Sequence, residues 1–133
     1  MILDRKTWSA VFLVWLSSPA FGDTFQNRVT LAKAAEAAPA YSPYQKTMWQ
    51  AAGPTLASGM KHCFDSIKNP PTTPFTVVAD LRAGGTATRI EARPQTNIST
   101  CVAAVIAALH FPSPPEYAGH RTFPIVIEMR VTN

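Results

Sequence analysis

"CVAAVIAALHFPSPP", residues 101–115, sets an apolar run directly against a proline cluster and opens it with one of only two cysteines in a chain of 133 residues. Three readings compete: a membrane segment, a helix presenting a catalytic cysteine, and a buried helix tied to another element. Cys101, Val105, Ala108 and Leu109 recur at helical spacing, Val102 and Ile106 widen the stripe, and Asn97 or Ser99 stands where a cap is needed. A bilayer-spanning helix takes roughly 20 apolar residues, and Pro112 ends this run well short of that. The stretch reads as a core helix.

Outward from it, "RTFPIVIEMRV" (121–131) has the clearest alternation in the chain. Phe123, Ile125, Ile127, Met129 and Val131 point one way, and Val126, Glu128 and Arg130 the other. Pro124 donates no ladder hydrogen bond, which suits the start or edge of a sheet. On the other side, Phe75, Val77, Ala79 and Leu81 alternate with Thr76, Val78 and Asp80. Gly84 and Gly85 supply the positive φ of a hairpin turn. In the returning strand Thr88, Ile90 and Ala92 alternate with Arg89, Glu91 and Arg93, so each strand has one wet face. Before the hairpin, Ser42, Pro43 and Gln45 mark a helix start with a capping box. Met48, Trp49, Ala52, Leu56, Met60, Cys63, Phe64 and Ile67 then form an apolar face, which Pro54 kinks or splits. The order is helix, strand, strand, helix, strand. It implies an α+β domain over residues 44–133, a small three-stranded antiparallel sheet with two helices on one face. Residues 23–43, rich in alanine, read as an N-terminal arm or short helix.

Residues 1–22 read as a cleavable export signal. Arg5 and Lys6 precede an apolar core of about nine residues, and small residues mark a cut after Gly22 or, alternatively, after Ala20. No stable membrane anchor is expected after cleavage, and about 110 residues remain, enough for one core. Lys and Arg number 12 against 8 Asp and Glu, a net charge of +4, but the basic residues are scattered, so nucleic acid is not an expected partner.

Export matters for the cysteines, because disulfides persist outside the reducing cytoplasm. Cys63 with Cys101 is the one intramolecular bridge the chain allows, closing a loop of about 38 residues worth roughly 4 kcal/mol by chain entropy. A metal site using His62, His110 or His120 lacks the close ligand pairs such sites show, and a redox thiol typically lies in Cys-x-x-Cys. No nucleophile elbow, phosphate-binding loop or His-Glu-x-x-His is present. The expectation is therefore a protein without enzymatic activity, metal or cofactor. Asp80 and Glu91 read as surface ion-pair partners of Arg82, Arg89 and Arg93, and those arginines with Arg130 would offer a basic stripe to an acidic partner.

A helix ending in Cys63, a glycine turn at Gly84-Gly85, a helix opening at Cys101 and the Phe111-Pro112 that follows it stand in an order that resembles the C-terminal domain of TonB-like periplasmic proteins. The likeness is to the subgroup with a cysteine in each helix, and it covers residues 44–131. It implies a periplasmic binding module whose sheet edge takes up an extended segment of another envelope protein. Carried onto this chain, the docking edge is the last strand, with Phe123, Ile125, Val126, Ile127, Glu128 and Arg130 as contact residues. The partner is an envelope protein or a second copy. The alternative is a periplasmic inhibitor or immunity protein that blocks an exported enzyme through the loop 111–121, where Tyr117 and His120 give reach.

Overall fold

A computed structural model describes residues 24–130; the signal expected at 1–22 and Val131 lie outside the described residues. The elements are α1 (Phe25–Ala37), a 3-10 turn (Pro39–Tyr41), α2 (Ser42–Ser66), β1 (Phe75–Arg82), β2 (Ala87–Arg93), α3 (Asn97–Ala108) and β3 (Thr122–Met129). The strands form one antiparallel sheet in the order β2-β1-β3, which is the α+β class the alternation implies.

Register divides the sheet into two faces. Leu81 opposes Phe123, Ala79 opposes Ile125, and Val77 opposes Ile127, so the apolar sets of β1 and β3 share an inner face. There they meet Met48, Ala52 and Leu56 of α2 and Ile98, Val102 and Ile106 of α3, forming the core. The outer face carries the pairs Thr76–Glu128, Val78–Val126 and Asp80–Pro124.

In β2 the simple alternation fails. Asp80 pairs with Thr88 but Val78 pairs with Glu91, so Ala79 faces two residues and the strand bulges at Arg89, whose φ is 51°. One inserted residue reverses side-chain parity. Thr88 therefore lies on the outer side with Asp80, donating its hydroxyl to the Asp80 carbonyl at 3.1 Å, and does not share the face of Ile90 and Ala92.

The helix starts also differ from the sequence reading. Thr96, not Asn97 or Ser99, caps α3. Its hydroxyl accepts from the Ser99 amide at 3.0 Å, and the Ser99 hydroxyl accepts from the Thr96 amide at 2.8 Å, a reciprocal pair that satisfies two orphan donors. Ser42 does not cap α2. The 3-10 turn runs straight into the helix, Tyr41 sits at the cap without a side-chain bond, and Ser42 is already helical. Nor does Pro54 split α2. It lies on the exposed side, so the carbonyl it leaves unpaired one turn earlier, on exposed Gln50, faces water.

Cys63 and Cys101 form the expected disulfide, with Cα atoms 5.9 Å apart. This turns Cys101 and Val105 toward α2, where both are half-buried, while Ile98, Val102 and Ile106 point into the sheet core. Gly59 makes the close approach possible, since a Cβ there would overlap the Val105 side chain.

The hairpin turn is clamped to the segment after α3. Gly85 has φ 91°, accepts from the Phe111 amide at 3.0 Å, and its Cβ position would fall on the Phe111 carbonyl. The neighbouring Gly84 amide donates to the Ser113 hydroxyl at 3.1 Å. Gly85→Ala is expected to cost at least about 2 kcal/mol, from left-handed strain and the backbone overlap together. Urea unfolding of the variant measures it; a loss of a few tenths would mean that the turn relaxes freely.

Candidate functional site

The sequence reading left the outer sheet face wet, and the structure roofs it with α1. Val78 is only 1 % exposed and Asp80 8 %. Val29 and Ala32, one turn apart on α1, are buried with them, and Arg28 reaches past them to the sheet. Thr24 begins the helix, accepting from the Asn27 amide at 3.1 Å.

Arg28 is the residue the sequence reading missed. Its guanidinium donates to the Arg89 carbonyl at 2.6 Å, bonds the Glu91 carboxylate at 3.3 Å, and stands 3.7 Å from Asp80. Arg89 completes the Asp80 pair at 3.0 Å, and Arg93 holds the other Glu91 oxygen at 2.7 Å. Two carboxylates are thus shared among three arginines; Arg28 and Asp80 are withdrawn from water, whereas Arg89 and Arg93 stay about half exposed. The planar fork of Arg28 suits this bridging, because it serves a carbonyl and carboxylates at once. The only advance sign was the spacing of Arg28, Ala32 and Ala35, an i, i+4, i+7 stripe too small and too polar to read as a buried face.

Around this network runs a trough of about 510 Å3 along β2. Residues 89–93 form its floor, Arg28 stands on the α1 side, and Thr100 and Ala103 of α3 line the other. A smaller cleft of about 100 Å3 opens between Leu31 of α1, Asp80 and the turn carrying Tyr117 and His120.

The expected contact residues of β3 separate into two groups. Phe123 and Ile125 are buried in the core, Val126 and Ile127 are half-buried, and Glu128 and Arg130 are exposed. Glu128 pairs with Lys33 of α1 at 2.6 Å. α1 packs chiefly against β3 and follows a path around it. Arg28 and Lys33 meet outer-face carboxylates, Ala35 is buried in the inner core, and Tyr41, just beyond, packs its ring 5.4 Å from Phe123 on the inner side.

At that end Tyr41, Tyr44 and Tyr117 surround Phe123 with ring centroids 5.1–5.7 Å from it. Tyr117 is therefore a core residue and does not extend from the loop, whereas His120 is exposed and stacks on its ring. Tyr44 donates its hydroxyl to the Pro112 carbonyl at 2.8 Å, and burial pushes its phenol from 10.0 up to about 12. The unfolded chain then ionises first. Stability owed to the neutral phenol is fully present below pH 10 and is lost as pH rises toward about 12. The urea midpoint of wild type is expected to fall more steeply than that of Tyr44→Phe across this window; parallel curves would remove Tyr44 as the cause.

His62, His110 and His120 are exposed, and among the described residues no three His, Cys, Asp or Glu side chains gather as metal ligands. Both cysteines are consumed by the bridge. No helix among the described residues is long and apolar enough to cross a membrane. Among the described residues the geometry offers two sheet borders, the trough along β2, and a set of arginines beside it. Comparison with family models, with curated proteins and with solved structures finds no match for this chain.

Proposed function

We propose that the chain is a non-enzymatic protein-binding module of the bacterial cell envelope, TonB-like in its domain, exported to the periplasm, and binding a partner by adding an extended segment to a sheet edge. The observation that carries this reading is the strand order β2-β1-β3, which leaves β2 and β3 each laddered to β1 on one side only. A strand in that position presents backbone donors and acceptors that another chain can meet, and a sheet of three strands gains from a further one. The disulfide supports an oxidising destination. Glu128 and Arg130 on the β3 side and Arg93 on the β2 side supply charge for selectivity.

Photo-crosslinkers placed singly at Arg93, His120 and Arg130 in the exported protein test this in the cell. Adducts from Arg93 or Arg130 to another envelope protein, or to a second copy, are the expected result. Adducts from His120 alone would replace it with the loop-borne inhibitor reading.

A further inference from the structure

The two borders of the sheet are not equivalent. α1 passes from the outer face to the inner core around β3, so that border is already flanked by the chain's own helix. The β2 border opens into the trough. Its floor is the strand itself at residues 89–93, with Arg28 above on the outer side and Thr100 and Ala103 on the inner side. A strand laid on β2 would sit about 4.8 Å from it, between these two walls.

Charge selects the occupant. The trough is lined by Arg28, Arg89 and Arg93 with Glu91, and Asp80 lies behind Arg28 and Arg89, so the three arginines exceed the two carboxylates they hold by one positive charge. Arg93 keeps about half of its side chain in water, at 49 %. On the opposite wall Thr100 and Ala103 are small, leaving room for side chains of moderate size. Because successive side chains of an extended segment point to opposite faces, an occupant fitting both walls alternates acidic with apolar residues. The bulge bounds the contact. The Arg89 carbonyl is taken by Arg28 at 2.6 Å, so pairing is confined to residues 90–93, where the Ala92 carbonyl already accepts from the Arg93 guanidinium at 3.2 Å.

We infer that the trough along β2 seats an acidic, extended segment of a partner protein, added as an outer strand beside residues 90–93. The inference rests on the strand-addition reading above and narrows it to one border and one class of partner.

The test uses the disulfide-bonded protein, isotopically labelled, with three synthetic heptapeptides: one alternating valine and glutamate, one alternating valine and lysine, and the acidic one N-methylated at alternate amides. The acidic peptide is expected to shift the amides of residues 90–93, to bind more weakly as salt is raised, and to outbind the lysine and N-methylated peptides. Arg93→Glu is expected to weaken it by at least about tenfold. Ala103→Trp, at a half-buried helix position, fills the trough and gives the same loss should Arg93→Glu fail to fold. Shifts along 126–130 in place of 90–93 would overturn the choice of border and leave strand addition standing. Equal binding of the N-methylated peptide would overturn both, since no main-chain pairing is then involved. Binding of the lysine peptide as tight as the acidic one, or no binding of the acidic one, overturns the inference.

Discussion

Reducing the Cys63–Cys101 bridge, or replacing both residues with alanine, is expected to lower the unfolding free energy by about 4 kcal/mol. The bond closes a loop across a sequence separation of 38, and opening it restores to the unfolded chain the freedom that closure removes. A domain this size is held by only about 5–15 kcal/mol, so the loss is a large part of the whole. The folded state suffers as well: Cys63 is fully buried, and the bridge holds α2 against α3 where Gly59 and Val105 meet. Urea unfolding of the oxidised and reduced protein at equal concentration gives the difference directly. A change below about 1 kcal/mol would show that the unfolded chain is already restricted without the bond.

Phe123→Ala is expected to cost about 3–5 kcal/mol, the range for removing a large aromatic from a packed core. Phe123 is fully buried, opposes Leu81 across the ladder, and has three tyrosine rings around it. Tyr41 and Tyr44 belong to the segment that joins the two faces of the sheet, so the cavity would loosen α1 and α2 together. Phe123→Leu, which keeps most of the volume, is expected to cost well under half as much. Phe123 is also one of the residues the sequence reading assigned to a partner. Any loss of binding in Phe123→Ala must therefore be compared with its unfolding curve. A variant that unfolds normally and fails to bind would contradict the core placement.

Cys63, Cys101 and Phe123 show why much of the architecture was legible. The β1 and β3 alternation has a period of two over long runs, and the core faces of α2 and α3 carry large apolar side chains, so the signals are strong and local. The cysteine pairing followed from there being two. Less legible was whatever depended on residues that are small or shared between distant segments. Bulging at Arg89 leaves no mark in composition, yet it inverts which side of β2 Thr88 faces. Thr96 rather than its neighbours caps α3 because the reciprocal bond with Ser99 fixes the position. α1 buries mostly alanine, and its decisive contacts are made by Arg28 to carboxylates about 50 to 60 positions away, a pairing no window of sequence contains. The candidate site suffered most from this. Nothing in the residues of the last strand says that a helix from the other end of the described chain packs against it.

That wrapping of α1 around β3 also orders events in time. The hairpin of β1 and β2 closes over a short span, but the helix made first has its seat on the strand made last. During synthesis Arg28 can meet Asp80 and Glu91 once the hairpin is made, but Lys33 and the rest of the α1 face that packs on β3 must wait, solvated, until the final strand has zipped onto β1. The N-terminal helix is then the closing piece of assembly, and the amides along it are expected to exchange with deuterium ahead of those in β1.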